Sequence, residues 1–400
     1  MKGAPNIHIK FMDNFTFYSS TEFIFGKDTQ KKTGETVKRF GGNKVLLVYG
    51  GSSAEKSGLI KEITDSLMSE GIEYTILKGI QPNPTDDRVY EGIAQATREG
   101  VTFILAVGGG SVIDTAKAIA LGAVSTRDFW DFFCGKATPV AALPVGVVLT
   151  IPAAGSEASG NSVITKLAGM HKLSIRTNIL RPRFAIMNPE LTMTLPWFQT
   201  ACGAVDMLCH IFERYFSNTP AQLVNGYSEA IMRDIMARAL ELKVNGNDYE
   251  ARADIMWAGT LAHNGLCGVG KEEDWATHRI EHEVSALYNV THGAGLACIA
   301  PAWLSFVSKK NPDMVWRFSI NVMGVDPEGL DTDQIIDKGI QLLKDFYHDL
   351  GLTTSLTELI GKTPDIDALV ESLEGNMGKT LGFYVPLSMD DCREIYKLAL

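Results

Sequence analysis

Phe103-Ile-Leu-Ala-Val107 runs directly into Gly108-Gly-Gly-Ser-Val-Ile-Asp114, and the fold is decided by how this stretch is read. Five apolar residues in a row suit a strand buried on both faces. The glycines mark a tight turn, and Val112–Leu121 has the composition of a helix. Working outward, the same grammar repeats. Lys44-Val-Leu-Leu-Val-Tyr49 reads as a buried strand ending in Gly50 and Gly51. Ala54–Glu70 reads as one helix, with Leu59, Ile60, Ile63 and Leu67 on one face. Tyr74–Leu77 is a further strand, Pro82–Thr85 a turn, Asp86 the start of a helix, and Val145–Ile151 another strand. This alternation predicts a mainly parallel sheet with helices on both faces. Ligands of such sheets sit off the carboxyl ends of the strands, where the glycines stand.

From about Leu191 the texture changes. Ala201–Phe216, Tyr227–Leu242, Tyr249–Asn264, Trp275–Tyr288, Asp333–Leu350 and Ser388–Leu400 carry helical periodicity, and strand-like runs disappear. The 400 residues exceed one ordinary core, so two domains are expected. The expected division is an α/β domain over 1–188 and an all-α domain over 189–400. No repeat or long polar linker separates them, which predicts a cleft between packed halves.

Composition narrows the function. A charge of −10, from 37 basic and 47 acidic residues, argues against a nucleic-acid partner held by bulk charge. The most apolar run, Val140–Ala154, is broken by Pro144 and Pro152 and is too short to cross a membrane. Met1–Phe17 lacks the apolar stretch of a signal peptide. Six scattered cysteines with no CxxC pair read as buried thiols of a cytoplasmic protein.

Gly109, Gly110 and Ser111 lie where a strand hands over to a helix, and backbone N–H groups at such a terminus attract phosphate. The pattern is not GxGxxG, so the usual dinucleotide fingerprint is absent. Gly50-Gly-Ser-Ser53 follows the earlier strand without the acid that commonly holds a ribose hydroxyl. Small donors with Lys56 behind them suit a 2′-phosphate, so NADP(H) is expected over NAD(H), with Glu55 as the opposing feature. Thr150-Ile-Pro-Ala-Ala-Gly-Ser156-Glu157 is a third polar turn at a strand end.

Of eight histidines, His8, His171, His263 and His348 read as surface or packing residues. The others cluster. Asp206 and His210 are four residues apart and share a helix face, as do His278 and His282. His292 follows in a stretch whose Gly293 and Gly295 suggest a turn. Imidazole and carboxylate suit Zn²⁺ or Fe²⁺ with an open position. No cysteine is conveniently placed among them. Spacing alone leaves open which of the five is not a ligand.

These residues resemble the iron-containing (group III) alcohol dehydrogenase family. Asn188-Pro189, Pro196, Gly203, Asp206, His210 and Glu213 fit its first signature. Trp275-Ala-Thr-His278-Arg-Ile-Glu-His282 with His292-Gly-Ala-Gly295 fits its second, and Gly108–Ser111 with Asp114 and Lys117 its cofactor loop. The similarity runs from Thr21–Gly26 to Leu387–Tyr396 and looks most like the butanol dehydrogenase and NADPH-dependent aldehyde reductase branch. It implies a dehydroquinate-synthase-like fold, with an α/β N-terminal dinucleotide-binding domain and an all-α C-terminal metal-binding domain. It implies that Asp206, His210, His278 and His292 bind one divalent metal and that His282 is the unligated proton relay. Cofactor positions it implies are Gly50, Gly51, Ser53, Asn83, Gly109, Gly110, Ser111, Asp114, Thr150, Ser156 and Lys172. It also suggests a homodimer.

Two departures from the family stand out. Asn188 replaces a common acid at the domain junction. Ala153-Ala154 replaces Ala-Thr, removing a hydroxyl whose hydrogen bond would contribute about 0.5–1.5 kcal/mol. The expected activity is interconversion of primary, butanol-like alcohols and aldehydes. A glycerol or polyol dehydrogenase is the nearest alternative. A dehydroquinate-synthase-like lyase would need many basic residues, whereas Trp275, Ala276, Leu287 and Tyr288 around the histidines are apolar. A non-catalytic metal-dependent nucleotide-binding protein would bind NADPH without oxidising it.

Overall fold

The computed structural model describes residues 11–400; His8 therefore falls outside the described residues. The first half runs β1 (Glu22–Phe25), α1 (Thr33–Arg39), β2 (Lys44–Tyr49), α2 (Ser53–Lys56), α3 (Leu59–Ser69), β3 (Glu73–Leu77), α4 (Asp86–Glu99), β4 (Phe103–Gly108), α5 (Gly110–Gly122), α6 (Trp130–Phe133), β5 (Val145–Leu149), β6 (Asn161–Lys166), β7 (His171–Arg176) and β8 (Phe184–Met187). Six strands form one sheet in the order β1-β8-β5-β4-β2-β3, with every neighbouring pair parallel. The chain leaves β2 for β3 on one side and returns to β4 on the other. The switch point thus lies between β2 and β4, and a crevice opens at their carboxyl ends.

The strands alternate their side chains between two cores. Val45 and Leu47 of β2 face the layer with α1 and α3, where Ile63 and Leu67 are fully buried. Leu46 and Val48 face the opposite layer with Ile113, Ala116 and Ile119 of α5. This two-sided burial explains why β2, β4 and β5 read as continuous apolar runs.

Three differences from the sequence reading follow from local physics. The helix expected over 54–70 is two helices, because Gly58 adopts φ +82 and breaks the ladder between α2 and α3. Strands β1, β6, β7 and β8 were not anticipated. β1 and β8 have four residues each, too few to show a period, and β6 and β7 form an antiparallel hairpin outside the main sheet. The third difference is at His292, described below.

The second half is α7 (Trp197–Tyr215), α8 (Gln222–Val244), α9 (Tyr249–His263), α10 (Ala276–Tyr288), α11 (His292–Val307), α12 (Asp313–Asn321), α13 (Thr332–Asp349), α14 (Leu356–Ile360), α15 (Ile366–Met377), a two-residue pair β9 (Thr380–Leu381) and β10 (Leu387–Ser388), and α16 (Met389–Leu398). Its core is separate, centred on α7 and α11 with Phe212, Phe216, Trp303 and Tyr347. At the junction Asn188 is buried; its amide donates to Gln30 Oε1 at 3.0 Å and its Oδ1 accepts the Glu190 N–H at 3.0 Å. No described helix is long and apolar enough to cross a membrane. All six cysteines are free thiols, five buried and Cys134 half-buried.

Candidate active site

One cleft of about 720 Å³ runs from the sheet's switch point into the helical half. At its sheet end it is lined by Gly50, Gly51 and Ser53 after β2, and by Gly109, Gly110 and Ser111 at the start of α5. Thr150, Ser156, Asp114, Asn83 and Lys172 line its middle. Asp206, His210, His278, His282 and His292 line its far end. Every site residue read from the sequence therefore faces the same space. Lys56 does not line it, although the 2′-phosphate expectation drew on that cation.

The middle of the cleft is braced from within. Lys117 is fully buried on α5, and its ammonium donates to Ser156 O (2.7 Å), Ser156 Oγ (2.8 Å), Ser159 O (2.9 Å) and Asn161 O (2.7 Å). Burial pushes its pKa down to about 8, with Asp114 and Glu157 opposing, so it remains charged at neutral pH. Ser156 Oγ donates to Asp114 Oδ1 at 2.6 Å, and Asp114 Oδ2 accepts the Val163 N–H at 3.0 Å. Asp114 thus joins α5 both to the turn at 156–158 and to the hairpin. Lys172 on β7 donates to Asn83 Oδ1 at 3.1 Å, while the Asn83 amide reaches Asn289 Oδ1 at 3.3 Å, tying the two halves together.

At the far end three helices converge. Asp206 and His210 come from α7, His278 from α10 and His292 from α11. Asp206 Oδ1 lies 3.4 Å from His210 Nδ1, 3.6 Å from His278 Nε2 and 3.7 Å from His292 Nε2. The ligating atoms of Asp206, His210 and His278 fall within 4.8 Å of one another. Asp206 Oδ1, His210 Nδ1 and His278 Nε2 are buried without a hydrogen-bond partner. Buried polar atoms are normally paired, so three orphans aimed at one point fit a divalent cation. One carboxylate and three imidazoles are the right donors.

The remaining ring nitrogens are occupied by carboxylates. His278 Nδ1 donates to Glu213 Oε1 at 2.7 Å, and His292 Nδ1 donates to Glu281 Oε2. Glu213 also accepts the His278 N–H at 3.0 Å and the Thr277 hydroxyl; Glu281 accepts the Ser285 hydroxyl. Such pairs fix tautomer and ring orientation and raise ligand basicity. Although burial opposes its charge, His278 is pushed up to about 9 by Asp206 and Glu213. Burial drives His210 well down, with the neighbouring His278 adding to it. Glu213 was legible only as a signature position, and Glu281 carried no independent signal.

Several expectations need correction. His263, taken for a packing residue, is buried at the end of α9 and lines the cleft. Its ring centroid lies 4.0 Å from that of His210, and its Nε2 is 2.8 Å from the Asn161 amide. Nothing in its spacing singled it out, because its neighbours come from other elements. His292 opens helix α11 rather than sitting in a turn, since Gly293 and Gly295 are helical. Of the apolar residues named around the histidines, only Trp275 lines the cleft; Ala276 is in the core and Leu287 faces outward. A cysteine is present after all: Cys202, one turn before Asp206, lines the cleft. Burial and the Asp206 charge push its thiol up to about 12, so it is a neutral wall residue. His171 and His348 are exposed as expected, His171 bonding to Asn376.

Sequence and structure comparisons say what chemistry such a cleft serves. The chain belongs to the iron-containing alcohol dehydrogenase family: the profile of that name matches residues 20–189, and that of the Fe-containing alcohol dehydrogenase family C-terminal region matches residues 200–400. It is 38% identical to the Probable NADH-dependent butanol dehydrogenase 1 of Bacillus subtilis, over 97% of this chain and 100% of that protein. It is 33% identical to the NADPH-dependent aldehyde reductase YqhD of Escherichia coli, over 97% and 100%. The crystal structure of an NADH-dependent butanol dehydrogenase A from Thermotoga maritima superposes with a TM-score of 0.94 at 41% identity, covering 98% of this chain and 99% of that one. The chain is accordingly an oxidoreductase that interconverts alcohols and aldehydes with a nicotinamide cofactor and a divalent metal.

Proposed function

We propose that the protein is a metal-dependent, NADP(H)-preferring dehydrogenase of primary, butanol-like alcohols and the corresponding aldehydes. The observation that carries this is the single cleft joining the glycine turns of β2 and β4 to the four-residue cluster on α7, α10 and α11. Asp206, His210, His278 and His292 hold one divalent cation, Fe²⁺ or Zn²⁺. When bound, it supplies Lewis acidity that acidifies an alcohol hydroxyl or polarises an aldehyde carbonyl. The nicotinamide carries the hydride. Residues 1–188 serve the cofactor and residues 189–400 the metal.

Each side chain then has a task. Gly109, Gly110 and Ser111 present the amino end of the 13-residue helix α5 to the pyrophosphate. Gly50, Gly51 and Ser53 receive the adenosine end, while Thr150, Lys172 and Asn83 border the path between. Asp114 and Ser156 hold that path in shape. His282 has its ring centroid 5.5 Å from that of His292. Its enclosure and the nearby Lys172 charge keep its pKa well below the usual histidine value. It is therefore a neutral imidazole at pH 7, able to accept the alcohol proton during oxidation.

The cofactor preference rests on where the acids are. Among the described residues only two carboxylates line the cleft, Asp114 on α5 and Asp206 on α7, and neither belongs to the turn after β2. Glu55, the acid nearest that turn, accepts the Tyr49 hydroxyl at 2.6 Å and faces Lys78 Nζ at 3.4 Å. No carboxylate is free there to hold ribose hydroxyls, which supports a 2′-phosphate. Of the named relatives two are called NADH-dependent and one NADPH-dependent, so the preference must be read from this chain. Comparing kcat/KM for NADPH and NADH with butanal tests it; a clear NADH preference overturns it. Among the described residues β1 is an unpaired sheet edge with Phe25 and Trp257 exposed beside it, which supports a homodimer that light scattering can check.

A further inference from the structure

Two cavities meet at one indole. Outside the cleft lies a second cavity of about 740 Å³, bordered by residues 13–18, Asn178, Arg181 and the 271–273 segment. Among the described residues, only Arg176 and Trp275 line both spaces. Arg176 is exposed and its guanidinium is held by Glu273 Oε2 at 2.6 Å. Trp275 is the inner member of the pair. Its ring centroid lies 5.3 Å from that of His278, 5.7 Å from His263 and 6.2 Å from His210.

The indole is held in place from three directions. Its N–H donates to Glu273 Oε2 at 2.7 Å, and the Arg214 guanidinium lies over the ring 4.8 Å from its centroid. Its backbone sits at φ 65, ψ 12, in the left-handed region that a bulky residue seldom occupies. A ring fixed this close to the cluster limits the length of any carbon chain leading away from it on this side.

We propose that Trp275 is a specificity-determining residue: it ends the substrate pocket and keeps the outer cavity closed to longer aldehydes and alcohols. The inference deepens the alcohol and aldehyde reading of the cleft and rests on it. Removing the indole joins the two spaces, and a chain of eight carbons can then extend beyond the cluster.

The test compares kcat/KM for octanal and butanal in wild type, Trp275→Gly and Trp275→Phe, with metal content measured on each. Glycine suits the left-handed backbone, so Trp275→Gly removes the ring without straining the chain. The octanal-to-butanal ratio is expected to rise about tenfold or more in Trp275→Gly, and by less in Trp275→Phe, with metal retained. An unchanged ratio in a Gly variant that still reduces butanal overturns the proposal and leaves the reading of the cleft intact. Metal-replete wild type that fails to reduce butanal overturns that reading itself. Should Trp275→Gly not fold, an unchanged ratio in Trp275→Phe is the overturning result.

Discussion

Glu273 faces two arginines, Arg176 and Arg214, and receives the Trp275 indole. Burial opposes its charge, but those cations bring its pKa down to about 2. A carboxyl lowered on folding contributes stability that is fully present above the unfolded value near 4.5 and is lost as pH falls through about 2. The shift corresponds to something on the order of 3 kcal/mol. Glu273→Gln should therefore be less stable than wild type at neutral pH and converge with it on acidification, as urea midpoints across that range would show. Parallel curves at all pH values would remove the ion pairs from the account. Glu281 makes a different prediction. It orients His292 without facing the cation, so Glu281→Gln should weaken metal binding about 10- to 100-fold while leaving the four ligand residues in place, measurable by metal titration. His282→Ala should keep its metal but alter the pH–rate profile. In wild type the acid limb should lie below pH 6.5, because burial and Lys172 hold His282 below that value. These carboxylate partners were the least legible part of the site. A glutamate between two histidines looks the same in sequence whether it faces solvent or a ring nitrogen.

At the scale of elements, the cluster depends on how closely α7 and α11 approach. A Cβ at Gly293 would overlap the Cys202 carbonyl, and one at Gly203 would lie 2.7 Å from the Pro152 carbonyl. The first contact seats His292 beside Asp206; the second seats α7 against the turn after β5. Gly293→Ala should push the helices apart, costing about 1–3 kcal/mol and weakening metal binding with it. Thermal melts with and without metal would reveal both effects, and an unchanged melt would show that the helices can part without harm. The same glycine explains a misreading. In isolation Gly293 and Gly295 signal a turn, because the sequence does not show the helix that crosses them. Long amphipathic helices such as α13 were legible, since Ile335, Ile336, Gly339, Ile340 and Leu343 repeat on one buried face. Four-residue strands β1 and β8 were not, because they are too short to show a period and pair with each other across more than a hundred residues.

Across the whole molecule, the change of texture near residue 190 made the two halves legible, and the apolar runs with glycines made the sheet's functional edge legible. The packing of the halves was legible in the missing linker, but the contacts that join them were not, such as Asn83–Asn289, with Asn83 itself held by Lys172. Because the proposed ligands come from three helices, loading a divalent cation should stabilise the fold as any native-state ligand does, by about 2.7 kcal/mol at a hundred times its Kd. A chelator should reverse the gain, and an unshifted melting temperature would place the metal elsewhere. The central claim is that this cluster, and not the protein at large, confers metal-dependent hydride transfer. Measuring metal content and butanal-dependent NADPH oxidation together on His210→Ala tests it most directly. Both should be lost in a protein that still binds NADPH; turnover persisting in the metal-free variant would contradict that role for the cluster.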